Sequence, residues 1–367
     1  MKKRYKVGII GATGMVGQRF ITLLYDHPWY EITVLAASPR SAGKEYRDAV
    51  GKKWCMDIDI PESVATMTVM NATEDVEKIS SLVDFVFCAV DMKKDEIKAL
   101  EERYAKAECP VVSNNSAHRH TPDVPMIIPE INPEHLDIIE AQRKRLGTKR
   151  GFIAVKSNCS LQSYLPAMAV INEKYPIDRA LVTTYQAISG AGKTFETWPE
   201  MVDNLIPYIG GEENKSEVEP NKILGKINGG EIVPSTELQI ECQTYRVPVS
   251  NGHTAAIFFK FKDSENKPSV EEIQDMWRNY KGEPQKLELP HAPKQFIYVY
   301  TEEETPDQPQ IKTAREIDGG MAISCGRLRE STQYDYKMVS MSHNTLRGAA
   351  GGAVLLAELL TAKGYMD

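Results

Sequence analysis

The sequence predicts an α/β protein of two units: a parallel sheet flanked by helices, then an α+β part with a largely antiparallel sheet. Three observations carry this expectation. The chain has 367 residues, more than the roughly 100–200 that one hydrophobic core usually serves. Its first third alternates short apolar runs with amphipathic stretches, and its middle alternates apolar and polar residues at strand spacing. Taken in order, residues 5–10 form the first apolar run, 15–25 a helical pattern and 31–37 a second run. Residues 84–89 and 110–113 flank a charged helical segment at 93–107. Short strands buried on both faces and separated by helices are βαβ units, which makes this sheet parallel. Residues 179–187, 238–247, 254–261, 296–301, 321–330 and 334–342 read as alternating strands of the second sheet. Residues 346–363, rich in Ala and Leu, read as a final helix, and the polar stretch 302–310 as the least structured segment.

Composition narrows the function classes. Hydrophobic residues make up 42%, and 44 basic against 51 acidic side chains leave a formal charge of −7. No long run of Lys or Arg occurs beyond the short Met1-Lys2-Lys3-Arg4 start, so nucleic acid is not the expected partner. No stretch of 18 apolar residues is present; a membrane span is not expected, and the chain reads as soluble, intracellular and cytoplasmic. Six cysteines (Cys55, Cys88, Cys109, Cys159, Cys242 and Cys325) show no Cys-x-x-Cys pair and no Cys/His spacing that suits zinc. No metal is expected, and in a reducing compartment most of these thiols are small core residues.

Gly11-Ala12-Thr13-Gly14-Met15-Val16-Gly17 follows the first strand and opens the first helix. Glycines there allow a tight turn and let backbone N–H groups approach a pyrophosphate at a helix N-terminus. The spacing Gly-x-x-Gly-x-x-Gly departs from the commoner dinucleotide form. After the second strand, Ser38-Pro39-Arg40-Ser41 stands where an NAD-specific fold places an acid for the ribose hydroxyls. A cation with two hydroxyls suits a 2′-phosphate, hence NADP; the alternative is an ordinary polar turn.

Lys156-Ser157-Asn158-Cys159-Ser160-Leu161 marks the change from an apolar run to a helical pattern. A thiol at a helix N-terminus is expected to favour the thiolate, with orphan N–H groups ready to hold an oxyanion. Leu238, Ile240, Cys242, Thr244 and Arg246 share one strand face, and His253 has the parity of Ala255, Ile257, Phe259 and Phe261. An inward Arg and an inward His across the turn-prone Ser250-Asn251-Gly252 form either a catalytic pair or a satisfied core ion-pair network. Gln186, in an apolar strand, precedes Ser189-Gly190-Ala191-Gly192-Lys193, a second glycine-rich loop without Walker spacing.

Together these residues resemble the aspartate-semialdehyde dehydrogenases along nearly the whole chain. The points of resemblance are the Gly11 to Gly17 turn, Ser157-Asn158-Cys159-Ser160, Gln186-Ala187-Ile188-Ser189-Gly190-Ala191-Gly192, Arg246-Val247-Pro248-Val249 with Gly252-His253, and Asn344-Thr345-Leu346-Arg347-Gly348-Ala349-Ala350-Gly351. The cysteine motif and Cys88-Ala89-Val90-Asp91 are similar to the archaeal and fungal branch. The resemblance implies a Rossmann-like NADP-binding domain at 1–157, a catalytic and dimerisation domain at 158–343, and a C-terminal helix within 344–367 that returns to the first domain. It implies Cys159 as nucleophile, His253 as acid/base and Gln186 orienting the acyl group. Arg246 would take the substrate carboxylate, Glu212 its ammonium, Lys215 and Arg119 phosphate, with Asn158 beside them. NADP would lie on Gly11, Ala12, Thr13, Gly14, Met15, Val16, Ser38, Arg40, Ser41, Ser189, Gly190, Gly192 and Asn344.

The reaction so implied interconverts aspartyl phosphate with aspartate semialdehyde and phosphate through a thioester, on the route to lysine, threonine, methionine and isoleucine, in a homodimer or homotetramer. Other readings stay open. An acyl-glutamyl-phosphate reductase would carry Gly-Cys-Tyr-Pro at the thiol, which Cys159 lacks; malonyl-CoA reductase, a near relative of the archaeal branch, stays open. A Cys/His hydrolase and a non-catalytic NADP sensor belong to other classes.

Overall fold

The computed structural model describes residues 4–367; Met1, Lys2 and Lys3 of the basic start lie outside the described residues. Seven strands form the first sheet: β1 (Tyr5–Ile10), β2 (Tyr30–Ala37), β3 (Met70–Asn71), β4 (Phe85–Cys88), β5 (Val111–Ser113), β6 (Met126–Ile127) and β7 (Ile153–Lys156). All are parallel, in the order β3-β2-β1-β4-β5-β7-β6. Both faces are apolar for a simple reason. Val7, Ile9, Phe85 and Phe87 feed one buried cluster, and Ile10, Val86 and Cys88 feed another on the opposite face, which is why these strands read as continuous apolar runs.

β9 (Lys226–Asn228) and β10 (Glu231–Val233) form a short hairpin, and the second sheet takes the six remaining strands. It contains β8 (Ile177–Gln186), β11 (Gln239–Arg246), β12 (His253–Phe261), β13 (Ile297–Val299), β14 (Ile323–Glu330) and β15 (Tyr336–Ser342), in the order β11-β8-β12-β15-β14-β13. The three central pairings are antiparallel and the two outer ones, β11 with β8 and β13 with β14, are parallel, so the sheet is mixed. The turn-prone Ser250-Asn251-Gly252 does not join paired strands: β8 lies between β11 and β12, and the 247–252 link crosses its end. A polar turn in sequence signals reversal, but it does not say which strand fills the gap.

The parity expected for these strands is observed. Along β12, residues alternate from buried His253 to buried Phe261, and Arg246 ends the buried face of β11. The other face carries Tyr185 and Tyr245, stacked 5.9 Å apart, with Tyr185 exposed.

The last helix, Ala350–Ala362, is apolar on nearly all sides and buried along its length through Leu360. A helix of that composition belongs inside a core. It packs with Val7, Ile9, Phe20 and Phe87 on one face of the first sheet. It starts four residues later than the Ala/Leu pattern suggests, because 346–349 form a turn and Ala349 is not helical (φ −140°).

Candidate active site

The glycine-rich turn follows β1 without a linker. Gly11 sits at φ +93°, and a Cβ there would come within 2.3 Å of the Ala89 carbonyl. A Cβ at Gly17 would meet the Gly11 carbonyl at 2.2 Å. These two positions therefore admit only glycine, and they press the turn onto the sheet while Gly14 caps the Met15–Leu24 helix in extended geometry. Met15 and Val16 face a cavity of about 490 Å³, whereas Ser38, Arg40 and Ser41 lie at the neighbouring end of β2, with Arg40 exposed.

Asn158 and Cys159 line that same cavity, together with Arg119, Glu212, Lys215, Ser189, Gly190, Gly192 and Asn344. Segments far apart in sequence thus meet where β1, β7 and the glycine loop after β8 end. Cys159 does not stand at an α-helix N-terminus as expected. A 3-10 turn, Leu161–Ser163, follows it, Tyr164 breaks helical geometry at φ −143°, and the α-helix Leu165–Asn172 begins only after that. Macrodipole stabilisation of the thiolate falls off within one turn and is weak here. Burial, and then the Glu212 carboxylate, push the thiol up, while Lys156, Arg119 and Arg246 pull it back.

Three strands deliver one row of polar groups. Gln186 pairs with Arg246 on β11 and with His253 on β12, so the three residues lie side by side. His253 Nε2 is 3.4 Å from Cys159 Sγ, and its Nδ1 accepts the Ala187 backbone N–H at 3.1 Å. Burial and the Arg246 guanidinium push this imidazole down to about 3, so it is neutral. Arg246 Nη1 donates to the Ala187 carbonyl at 2.7 Å, and no ion pair holds it among the described residues. The satisfied ion-pair network is therefore absent, and the guanidinium keeps donors for a ligand. Gly190 lies over both: a Cβ there would be 2.9 Å from Arg246 Nη1 and 3.3 Å from His253 Nε2. Asn344 fixes that lid, accepting from Gly252 N–H at 2.7 Å and donating to Ser189 Oγ at 2.9 Å.

The Glu212–Ile223 helix supplies a second wall. Glu212 pairs with Lys215 one turn on (2.6 Å) and accepts both bonds from Asn158 Nδ2 at 3.1 Å. Burial pushes the Glu212 carboxyl up, but Lys215 and Asn158 outweigh it and hold it below the usual range. Gln186 Nε2 reaches the same carboxylate at 3.4 Å.

Two residues of this wall escaped the sequence reading. Glu219 accepts Arg119 Nη1 at 3.0 Å and the Asn158 backbone N–H at 2.8 Å, clamping the phosphate candidate to the cysteine loop. Lys222 donates to the carbonyls of Arg119, Thr121 and Val124. The readable signal was Glu212, Lys215, Glu219 and Lys222 at helical spacing, in a segment whose buried face is polar. Beneath the loop, Arg347 joins Glu130 (2.7 Å) to Gln162 (3.0 Å), and Gln162 donates to Ser157 Oγ at 2.8 Å. Such buried polar chains fix geometry when every member is satisfied.

Comparison with known proteins agrees with this architecture. The profile "Semialdehyde dehydrogenase, NAD binding domain" matches residues 6–139, and "Semialdehyde dehydrogenase, dimerisation domain" matches 168–347. Aspartate-semialdehyde dehydrogenase of Schizosaccharomyces pombe is 42% identical, over 98% of this chain and 99% of its own length. The chain belongs to the aspartate-semialdehyde dehydrogenase family. The enzyme of that name from Methanothermobacter thermautotrophicus is 43% identical over 96% of this chain and 98% of its own, so fungal and archaeal members stand equally near. The Candida albicans aspartate semialdehyde dehydrogenase, crystallised with NADP, superposes with a TM-score of 0.88 at 40% identity, over 99% of this chain and 100% of that one. As an aspartate-semialdehyde dehydrogenase family member the protein is an oxidoreductase acting on an aldehyde group.

Proposed function

We propose that the protein catalyses the NADP-dependent, reversible reductive dephosphorylation of L-aspartyl 4-phosphate to L-aspartate 4-semialdehyde through a thioester on Cys159, serving the synthesis of lysine, threonine, methionine and isoleucine. The observation that carries this reading is the 3.4 Å approach of Cys159 Sγ to His253 Nε2 beside a cavity that the glycine-rich turn also reaches. The turn fits a dinucleotide: Gly11 and Gly17 leave a cradle that any Cβ would fill. Gly11, Ala12, Thr13, Gly14, Met15 and Val16 would hold the pyrophosphate side, Ser38, Arg40 and Ser41 the 2′-phosphate, and Ser189, Gly190, Gly192 and Asn344 the nicotinamide side. When bound, NADPH supplies the reducing equivalent.

In the reducing direction Cys159 sulfur adds to the acyl carbon, the carbon–phosphate oxygen bond breaks, and inorganic phosphate leaves a thioester that keeps the acyl group activated. Arg119 and Lys215 receive the phosphate, and Glu212 the substrate ammonium. Arg246, planar and without an ionic partner among the described residues, takes the α-carboxylate. Asn158 holds the thiol loop through both of its polar side-chain atoms. Gln186 orients the acyl group, and His253 is the proton-bearing group that faces the reacting carbon. The proposed division is an NADP-binding part at 1–157, a catalytic and dimerisation part at 158–343, and the returning helix; exposed Tyr185 and half-buried Tyr245 supply an aromatic face for pairing two copies into a homodimer or homotetramer. Cytoplasmic residence belongs to the same reading.

The direct test is absorbance at 340 nm with aspartate semialdehyde and phosphate, run with NADP and separately with NAD. Phosphate-dependent reduction of NADP is the expected result; acid release without cofactor reduction would instead mark a hydrolase. Removing the guanidinium by Arg40→Ala should weaken NADP binding while NAD binding barely changes, and equal losses in a fluorescence titration would sink the 2′-phosphate assignment. Arg246→Lys keeps the charge but not the fork. Substrate KM should rise and turnover fall while NADP affinity persists; loss of folding in that variant would return Arg246 to a structural role.

A further inference from the structure

Arg19 stands one turn into the first helix, Met15–Leu24, and is half-buried, yet among the described residues no hydrogen bond or ion pair engages its guanidinium. Its Nε is shielded from solvent and unbonded. Burial pushes the group down, and Asp57, Cys55 and Glu316 offset this only across space. A cation desolvated without a partner costs free energy that an anionic ligand would recover. The other arginine without a hydrogen bond among the described residues is Arg40, which is exposed and already assigned to the 2′-phosphate.

The space around Arg19 is built. It lines a cleft of about 140 Å³ whose walls are the first helix, the 55–57 segment and the 188–195 loop that follows β8. That is less than half of the roughly 300 Å³ at which small-molecule pockets begin. Met15, Ser189 and Thr345 line both this cleft and the cavity that Cys159 lines, so the cleft is an annex of the active-site cavity. Gln18 fixes its shape. The Gln18 Nε2 donates to the carbonyls of Thr13 (3.1 Å) and Lys53 (3.0 Å), and its Oε1 accepts the Cys55 N–H (3.0 Å), which ties the turn, the helix and the adjoining segment together. Helical side chains lean toward the N-terminus. Arg19, four residues after Met15, therefore extends along the Met15 face toward the glycine-rich turn.

The chemistry of the turn leaves a charge to be met. A dinucleotide carries two negative charges on its diphosphate, whereas Gly11, Ala12, Thr13, Gly14, Met15 and Val16 offer N–H groups and no cation. The helix end supplies only about half an elementary charge. We infer that Arg19 is the cation that binds the diphosphate of the dinucleotide, its planar fork taking two phosphate oxygens. This rests on the reading of the turn as a dinucleotide site. Lys193 lines the same cleft and Asp57 opposes it there, but both are exposed, so neither is desolvated as the Arg19 Nε is. Arg19 and Arg40 then divide the work: Arg40 reads the phosphate that distinguishes NADP, and Arg19 holds the diphosphate that NADP and NAD share.

The test is calorimetric titration of the ligand-free protein, which involves no turnover. Arg19→Gln should weaken NADP and NAD by the same factor, about ten- to a hundred-fold, the range for losing hydrogen bonds to a charged group. Adenosine 2′-monophosphate, which has no diphosphate, should bind the variant and the wild type alike. Arg19→Lys keeps the charge without the fork and should fall between them. Thermal unfolding of ligand-free Arg19→Gln should match wild type, because no bond within the protein is lost. Unchanged NADP affinity in Arg19→Gln, a loss confined to NADP, or a matching loss for adenosine 2′-monophosphate overturns the assignment. A lower melting temperature of the ligand-free variant overturns it as well, since Arg19 would then be structural. Inorganic phosphate is the last arm: stabilisation of the wild type by phosphate that persists beside bound NADP and vanishes in Arg19→Gln would mark a separate anion site instead. A wild type that binds no dinucleotide would sink the reading of the turn itself, so the two failures are told apart.

Discussion

Replacing the thiol by Cys159→Ala should abolish both aldehyde oxidation and acyl-phosphate reduction, a loss on the order of 10⁴–10⁶-fold, as when a covalent nucleophile is removed from a preorganised site. The variant keeps the Cβ that fits against Gly348, so the loop stays seated. NADP binding and the melting temperature should stay close to wild type. A trapping experiment complements the kinetics. Semialdehyde and NADP without phosphate should leave an acyl adduct on the Cys159 peptide, because no acceptor is present to release it. The competing thiols are poor candidates: Cys88 is fully buried, and burial pushes Cys242 up to about 12. An adduct on either, or substantial turnover by Cys159→Ala, would show that the nucleophile lies elsewhere.

His253→Ala should slow turnover roughly 10²–10⁴-fold, the range for loss of a positioned proton carrier or oxyanion donor. The thiol itself should remain reactive. A rapid-quench measurement of thioester formation and breakdown separates the possibilities, since His253 faces the carbon in both half-reactions. If only substrate affinity changed and the maximal rate held, the role of His253 would be binding. Burial and then the Arg246 guanidinium keep the ring neutral well below physiological pH. The wild-type rate should accordingly show no step from His253 between pH 5 and 8, and an acid limb near the ordinary histidine range would need another group.

The two sheets and the inward row were legible because period-two parity is a local property. Arg246 and His253 could be assigned to the buried face from their neighbours alone, and the structure puts Gln186 between them in register. What parity does not encode is strand order. β8 enters between β11 and β12 through pairings that no local pattern records, so both strands were legible and their separation was not. β3 and β6, two residues each, are too short to carry any period. The helix expected from Cys159 was missed for a different reason: its residues suit a helix, but the turn must swing the thiol toward His253, and Tyr164 absorbs the change in direction. Glu219 and Lys222 were passed over because a charged residue in isolation reads as surface. Their meaning appears only once Arg119 and Asn158 are beside them.

The helix Ala350–Ala362 also constrains how the protein is made. It covers Val7, Ile9, Phe85 and Phe87, strands that leave the ribosome long before it does. Until that helix is synthesised, one face of the first sheet remains an apolar surface without its cover, the kind of nascent species that holdase chaperones shield and that aggregates without them. The core of the first sheet is therefore completed late, and the same turn that leads into its covering helix brings Gly348 against Cys159. Burial of the first strands and seating of the thiol are coupled to the emergence of this one late segment, so a chain that lacks it does not present a formed thiol site.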